Sequence, residues 1–340
     1  MAWTETAILQ RLKKLNAPKV LAFACLLLLW NTSVDWSHQD VLFIESFAGT
    51  QAATQAVRSR FTNHATAAFD IQYSETMDIN SSSGMGAALI AILRGDPSGF
   101  VHWMGVQCST WVSTSRGSTG RSALVPEGLE DEVQCVKMAN QMASRVALLC
   151  LATLAFRGTW VTEQPRSSLL HDHDRMAGLK RSTEVWRCSF WMWWYGAPTA
   201  KRTTLRSSSP SIGLFWTQKL KKFQYQQARA EMEDAPHPVK KYKDAEGRAR
   251  YHGHGTSQLK LTENYTQTFG ERIATLVNKL KPGCDYVTHD DELDGVSIWT
   301  SWEWGDMWDD ASLREVCLYL YGAKSLKVPP RWKQVLPKEI

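Results

Sequence analysis

The stretch 41–50, VLFIESFAGT, decides the fold of this chain of 340 residues. Its first four residues are apolar and partly β-branched, which is typical of a short buried strand. Phe47-Ala48-Gly49 then forms a predicted turn, and a helix-compatible stretch follows from about residue 51 to residue 60. A glycine directly after a strand lets a ligand approach the backbone, and the start of the next helix offers free N–H donors.

The same alternation of strand and helix recurs further along the chain. The predicted strands are 65–70, 101–106 and 159–163, and the predicted helices are 85–94 and 127–157. Repeated alternation of this kind predicts an α/β fold with a mostly parallel sheet. Ligands bind at the carboxyl ends of the strands in such sheets, so the residues just after each strand are the candidates for function.

Three polar residues follow predicted strands. Asp70 lies where a carboxylate can accept hydrogen bonds from ribose hydroxyls, although a helix cap is the alternative. Cys108 lies at a strand-to-loop exit, where a thiol is more accessible than in the core. Glu163 precedes a Gln-Pro turn, and its carboxyl group can bond a base edge or shuttle a proton. Each residue alone is also compatible with a purely structural role.

In the order of these motifs, residues 40–280 resemble the DNA (cytosine-5) methyltransferase family. The family's first motif is similar to Phe47-Ala48-Gly49, its ribose-binding acid corresponds to Asp70, and a further acid near the adenine corresponds to Asp78. The resemblance implies a Rossmann-like methyltransferase fold with S-adenosylmethionine as cofactor. It also implies that Phe47, Gly49, Asp70 and Asp78 bind that cofactor.

The remaining motifs follow in the family's order. The Pro-Cys nucleophile motif is matched by Gln107-Cys108, and the Glu-Asn-Val/Pro motif by Glu163-Gln164-Pro165. The segment YGAPTAKR (195–202) resembles the family's YGxPQxRxR, and YTQTFG (265–270) is similar to its final motif, which precedes a helix.

By this resemblance, four residues carry the chemistry. The Cys108 thiolate would attack C6 of cytosine while Glu163 hydrogen-bonds N3, so that C5 takes the methyl group from S-adenosylmethionine. Lys201 and Arg202 would hold phosphates of a nucleic-acid substrate, expected to be DNA. The base must leave the helix stack for this reaction.

Several residues depart from the family's pattern. The stretch 50–53 (TQAA) stands where the family has further glycines, Gln107 stands for proline, and Gln164 stands for asparagine. A second hypothesis is therefore a catalytically degenerate methyltransferase fold that serves as a binding module. A third is a cysteine hydrolase, in which Cys108 pairs with His64, His102 or His171.

The chain divides into five expected segments. They are an N-terminal segment with a short apolar helix (1–39), the methyltransferase-like α/β domain (40–216), a basic insert in place of a target-recognition region (217–260), a helix that completes the domain (261–284) and an acidic, Trp-rich extension (285–340). The insert is expected to be an exposed helix plus a loop. The extension indicates either a lid or a surface for a protein partner.

The amino-acid composition limits the class of protein and the cellular compartment that can be expected. With 44% hydrophobic and 21% charged residues, the chain is globular, and a net charge of +5 does not by itself identify a nucleic-acid binder. Seven scattered cysteines without a CxxC pair predict a reducing compartment such as the nucleus. The apolar run 20–30 is too short to span a bilayer, so membrane association is not expected. A buried helix is favoured there, with a signal or anchor as the alternative.

Two further patterns receive structural interpretations. The His-x-His pairs at 171–173 and 252–254 have no set of accompanying ligands in the sequence, so no metal site is predicted. The run WRCSFWMWWY (186–195) is expected to form a buried strand and core, with a stacking platform for bases as the alternative.

Overall fold

The structure is a computed structural model that describes residues 40–197, 199–230, 239–243, 247, 249–253 and 263–281. The predictions for the N-terminal apolar helix and for the acidic, Trp-rich extension lie outside these residues. The described ranges hold the complete sheet and the candidate site residues.

Six strands form one mixed sheet, and two more form a separate hairpin. The strands are β1 Val41–Ser46, β2 Ala65–Phe69, β3 Phe100–Met104, β4 Gly158–Pro165, β5 Trp186–Trp191, β6 Arg202–Ser207, β7 Val239–Lys243 and β8 Ala249–Gly253. The order of the large sheet is β2-β1-β3-β4-β6-β5, in which the first four strands are parallel and the last two run antiparallel to their neighbours. The predicted α/β fold with a mostly parallel sheet is therefore confirmed.

Helices cover both faces of this sheet. They are α1 Ala52–Arg60, α2 Ser82–Leu93, α3 Gln134–Ala155, α4 Asp174–Ser182, α5 Lys222–Ala230 and α6 Gln267–Leu280. In β3, Phe100 and Met104 point into the core beneath α2, α3 and α4, whereas Val101 and Trp103 point into the core beneath α1 and α6. This three-layer arrangement is compatible with a Rossmann-like fold, and it places the carboxyl ends of β1 to β4 at one edge.

The predicted helix 127–157 is wrong at its beginning, because α3 starts only at Gln134. Gly128 has a φ of +66°, which interrupts the helical path. The buried guanidinium of Arg121 donates to the carbonyl oxygens of Pro126 (2.5 Å) and Val136 (3.3 Å), and so holds this turn in place. The helix α3 is long and apolar enough to cross a membrane. However, 67% of its most apolar stretch of 18 residues is buried inside the protein, as expected of a central core helix.

The basic insert contains more structure than the expected helix and loop. The exposed helix α5 is present, but β7 and β8 form a hairpin where a loop was predicted. Strand β8 lies against Ser113–Ser115, in the loop that follows Cys108.

The aromatic run 186–195 is only partly the predicted buried strand. The edge strand β5 buries Cys188 and Phe190, but Trp186 is 46% exposed, and residues 192–195 form a 3-10 turn.

Candidate active site

The turn after β1 has an unusual backbone. Phe47, Gly49 and Gln51 all have positive φ angles, of 61°, 49° and 59°. Only the second is a glycine, and a residue with a side chain in this region is strained by about 1–3 kcal/mol. Strain of this kind persists only where surrounding contacts fix the backbone. The turn is therefore a rigid structure at the carboxyl end of β1.

Asp70 provides those contacts from the end of β2. Its Oδ2 accepts the Gly49 N–H at 2.8 Å, and its Oδ1 accepts the Gln72 N–H at 2.8 Å. The Tyr73 hydroxyl donates to the Gly49 carbonyl at 2.5 Å. Three of the residues expected to bind a cofactor, Phe47, Gly49 and Asp70, thus belong to one hydrogen-bonded turn. The half-exposed Ile71 projects beside it.

Glu45 is a site residue that the sequence reasoning missed. It is fully buried in β1, and its Oε2 accepts both the N–H (2.8 Å) and the hydroxyl (2.5 Å) of Thr54 in α1. Its other oxygen, Oε1, has no hydrogen-bond partner, and burial raises the pKa of Glu45 to about 7. In the sequence, a single acid at the end of an apolar strand was the feature that could have indicated a buried carboxyl group. The carboxyl group joins β1 to the first turn of α1.

Cys108, Glu163 and Lys201 meet at the carboxyl ends of β3 and β4. The Lys201 ammonium lies 3.7 Å from Oε1 of the buried Glu163 carboxylate. Burial raises the pKa of Cys108 from 9.0 to about 11. The positive charge of Lys201 opposes that shift, and the negative charges of Glu163 and Glu263 add to it. The thiol is therefore protonated at neutral pH in this conformation, and Lys201 is the neighbour that favours the thiolate.

Tyr265 completes this cluster from the segment before α6. Its hydroxyl accepts the Trp103 indole N–H at 3.0 Å and also hydrogen-bonds Glu163. Burial and the charge of Glu163 raise the pKa of Tyr265 well above its usual range, so the hydroxyl stays a donor. The carboxylate of Glu163 is thereby fixed between a phenol and an ammonium. The sequence reasoning had placed Tyr265 in a motif without giving it a role.

Gln107 and Gln164, which stand where the resembled family has proline and asparagine, have different surroundings. Gln164 is buried, its amide donates to the Val106 carbonyl at 2.5 Å, and its carbonyl accepts the Ser168 hydroxyl at 2.7 Å. It therefore fastens the loop that carries Cys108 to the end of β4. Gln107, in contrast, is exposed.

The turn after β1 and the cluster of Cys108, Glu163 and Lys201 are adjacent. A Cβ placed on Gly105 would lie 2.8 Å from the Tyr265 hydroxyl and 3.4 Å from the Phe47 carbonyl oxygen. A Cβ on Gly49 would lie 3.4 Å from Oδ1 of Asn264. The segment before α6 therefore runs between the two halves of the site. A groove of about 930 Å³ between α1 and α6 opens beside it, with Thr50 and Tyr265 among its lining residues.

Two predicted site residues have contacts outside these clusters. Asp78 accepts the Asn80 N–H at 2.8 Å, in the turn that begins α2. The guanidinium of Arg202 lies 5.6 Å from the centre of the Trp191 ring, at the open end of the β5–β6 pair.

The three histidines suggested for a hydrolase have other partners. His64 lies 3.8 Å from Asp96, His102 bonds Ser46 and Thr153 inside the sheet, and His171 bonds Thr162. In the described part of the chain, none of them is among the groups that shift the pKa of Cys108. The structure gives no support to a cysteine–histidine pair.

The arrangement places a thiol, a buried carboxyl group and an ammonium group beside the turn that contains Gly49. Comparison of the chain with models of protein families, with curated proteins and with solved structures finds no match.

Proposed function

We propose that the protein is an S-adenosylmethionine-dependent methyltransferase that transfers a methyl group to C5 of cytosine in a nucleic acid. The observation that carries the proposal is the meeting of Cys108, Glu163 and Lys201 directly beside the turn formed by Phe47, Gly49 and Asp70. Cytosine-5 methylation needs these groups, because a nucleophile, a proton held at N3 and a methyl donor must act on one ring.

The residues of the turn fit an adenosine moiety. Each oxygen of the Asp70 carboxylate accepts one backbone N–H and keeps a further lone pair for a ribose hydroxyl. The exposed Ile71 side chain offers an apolar surface beside it, which suits one face of an adenine ring. Phe47, Gly49, Asp70 and the turn at Asp78 would hold the cofactor, which supplies an electrophilic methyl group when bound.

The residues of the cluster then have distinct tasks. The Cys108 thiolate would form a bond to C6 of the base, and Glu163 would hold a proton at N3, so that electron density moves to C5. Tyr265 and Lys201 would keep the Glu163 carboxyl group in place. After the methyl group reaches C5, the C5 proton would pass to water, and the electron pair of the C5–H bond would re-form the C5–C6 double bond. The C6–S bond breaks in the same step and Cys108 leaves as the thiolate.

Lys201 is the residue that would activate the thiol. The pKa of Cys108 is about 11 even with Lys201 nearby, because burial raises it by more than the ammonium lowers it. An enzyme of this design therefore depends on a closer approach of that ammonium to stabilise the thiolate. A substrate phosphate near Lys201 would compete for that ammonium, so the Glu163 ion pair and the substrate must share it.

The raised pKa of Cys108 also favours a second candidate, a methyltransferase fold that binds its ligand without catalysis. A thiol that stays protonated is a poor nucleophile. The two candidates differ in what Cys108 does.

The experiment that separates them uses Cys108→Ala in two assays. Calorimetric titration with S-adenosylmethionine should give the same affinity for wild type and variant, because Cys108 is not among the residues that would hold the cofactor. Transfer of a labelled methyl group to cytosine-containing nucleic acid should be abolished in the variant. Cys135→Ala, which removes an exposed thiol in α3, is the matched control.

Three results would change the assignment. No binding of S-adenosylmethionine by a folded wild-type protein would contradict the proposal entirely. Binding without methyl transfer by the wild type would favour the binding module. Methyl transfer that survives in Cys108→Ala would exclude Cys108 as the nucleophile.

A further inference from the structure

The segment Val185 to Ala230 contains no acidic residue. Over these 46 positions the chain has eight lysines and arginines and no Asp or Glu, although acids make up a tenth of the whole sequence (34 of 340). The segment contains β5, β6 and α5, so it forms the antiparallel end of the large sheet together with the exposed helix beside it. The segment itself supplies no acid to neutralise this charge. Lys201 pairs with Glu163 of β4 and Asp172 lies near Arg206, but Lys219, Lys221 and Lys222 are exposed.

Aromatic side chains are exposed on the same segment. Trp216 is 67% exposed and Tyr225 is 44% exposed, and Lys219, Lys221 and Lys222 are exposed between them. Phe223 is also exposed, but it lies two positions from Tyr225 in α5 and therefore on a different side of the helix. Exposed aromatic rings that cluster on one surface mark a contact site for a partner. Rings interleaved with lysines suit a partner that is both flat and negatively charged.

The aromatic surface formed by Trp191, Trp216 and Tyr225 begins at the candidate active site. Lys201 contacts Glu163, and its neighbour Arg202 lies over the Trp191 ring. The Trp191 ring in turn meets the Tyr225 ring edge-on, with 6.4 Å between centroids. Trp191 also donates its backbone N–H to the Thr217 hydroxyl at 3.0 Å, which fastens the chain beyond Trp216 to the carboxyl end of β5.

These contacts place the surface at the functional edge of the sheet. Thr203 of β6 pairs with Pro165 at the end of β4, so Arg202 and Trp191 lie at the same edge as Glu163. A chain of nucleotides bound with one base at Cys108 could therefore continue across Arg202 and Trp191 toward α5.

We propose that this surface binds unpaired nucleotides next to the target base, so that the substrate is a single-stranded nucleic acid rather than a duplex. The inference rests on the proposed function for the identity of the reacting base. Unpaired bases present flat faces that stack on aromatic side chains, while lysines and arginines follow the phosphates. A duplex hides those faces between its own base pairs and would leave the exposed rings unused.

The chemistry of the reaction favours the same substrate. A base in a duplex must be extruded before Cys108 can reach C6, at a cost of a few kcal/mol, whereas an unpaired base needs no such step. Aromatic rings and lysines contact bases and phosphates, which DNA and RNA strands have in common. The relative affinities of the two strands distinguish them.

The test is fluorescence anisotropy with the full chain and a labelled, cytosine-containing oligonucleotide. Three probes are compared, namely the DNA strand, the RNA strand of the same sequence and the DNA duplex. We expect one of the single strands to bind at least about tenfold more tightly than the duplex. The ratio between the DNA and RNA strands then identifies the nucleic acid.

Substitutions on the surface test the stacking directly. Trp216→Ala should weaken binding of the single strand by about tenfold, whereas Trp216→Tyr, which keeps a ring, should restore most of it. Met138→Ala, which removes an exposed apolar side chain from α3, should leave binding unchanged. Because Trp216 is exposed, its variants should unfold at the wild-type temperature.

Two outcomes would overturn the inference. A duplex that binds as tightly as either strand would show that unpaired bases are not recognised. Binding that Trp216→Ala leaves intact would show that this surface does not stack bases. Neither readout needs methyl transfer, and both can be repeated in Cys108→Ala, so a failure of the proposed catalysis is distinguishable from a failure here.

Discussion

Burial and a neighbouring cation act on the Cys108 thiol in opposite directions. Burial raises its pKa from 9.0 to about 11, and the charge of Lys201 limits that rise. At about pH 8 the thiolate fraction is then roughly a hundredfold smaller than for an ordinary thiol. The reactivity of Cys108 therefore depends first on its burial and second on how closely Lys201 approaches it.

The opposing effects of burial and Lys201 predict how the reaction of Cys108 with iodoacetamide depends on pH. The rate of labelling is measured by mass spectrometry at several pH values. The rate in the wild type should keep rising with pH beyond about 9, because the thiol is still mostly protonated there. Lys201→Met should lower the rate several-fold at every pH, whereas Lys279→Met, on the exposed end of α6, should not. Labelling of Cys108 as fast as that of the exposed Cys135 would contradict the burial effect.

The buried carboxyl group of Glu45 predicts how stability depends on pH. Its pKa is about 7 in the folded protein and 4.5 in the absence of burial, so the folded state holds a proton that the unfolded chain has lost. Stability should therefore fall as pH rises from about 4.5 to about 7, by about 3 kcal/mol from this group. Above that range the contribution is constant.

Glu45→Gln should remove this dependence, because the amide cannot ionise and still offers an oxygen to Thr54. Urea unfolding at about pH 5 and at about pH 8 measures it. Glu75→Gln changes an exposed acid and should keep the wild-type dependence. An equal loss of stability with pH in wild type and Glu45→Gln would show that Glu45 is charged in the folded state.

At this scale the sequence shows which residues lie at strand ends, but not how they are paired. The meeting of Cys108 and Glu163 could be anticipated from the strand-end rule and the order of the motifs. The contact of Lys201 with Glu163 could not, because it depends on the antiparallel pairing of β6 with β4. The pairing of Arg202 with Trp191 could not, because it depends on the antiparallel turn of β6 against β5. The burial of Glu45 is equally invisible until α1 is placed over β1.

Helix α6 reaches the turn after β1 through a close approach to α1. Gly270 makes that approach possible, since a Cβ at this position would lie 2.4 Å from the Ala52 carbonyl oxygen. Backbone atoms cannot move aside as the end of a flexible side chain can. The two helices, and with them Tyr265 and the turn after β1, depend on this contact.

Gly270→Ala should therefore destabilise the protein by about 1–3 kcal/mol in urea unfolding, although alanine favours a helix. Gly117→Ala is the control, because a Cβ there meets nothing within 4 Å. It should be neutral or slightly stabilising. Equal stabilities of the two variants would mean that α6 can shift away from α1 without loss.

Elements with a regular apolar period could be predicted from the sequence, and irregular ones could not. Strands β1, β2, β3 and β4 lie close to their expected positions because buried strands are short apolar runs. The beginning of α3 was misplaced because Val133 and Val136 fit a helical period, while the turn at Gly128 is fixed by Arg121 from a distance. The hairpin β7–β8 carries no alternation that marks it as a pair of strands.

Across the molecule, packing is uneven. Strands β1 and β3 have a neighbour on each side and are covered on both faces, whereas β5 is an edge strand and the β7–β8 hairpin is a separate two-stranded sheet. Backbone amides exchange their hydrogens more slowly where they are buried and hydrogen-bonded, so exchange rates should differ between these strands.

Hydrogen–deuterium exchange followed by mass spectrometry should therefore find β1 and β3 the slowest to exchange and the β7–β8 hairpin the fastest of the strands. Single-stranded nucleic acid should slow exchange in α5 and leave the central strands unchanged. A hairpin as protected as β3 would indicate that it is covered by a part of the chain outside the described residues.

The contact between α1 and α6 joins the two ends of the described chain, and this has a consequence for synthesis on the ribosome. Residues 52–60 leave the ribosome long before residues 267–280, by about 10 to 40 seconds at ordinary rates of translation. Throughout that interval the apolar side chains of Val57 and Phe43 lack the part of their native packing that α6 later supplies. The nascent chain therefore offers a binding site for chaperones until α6 emerges.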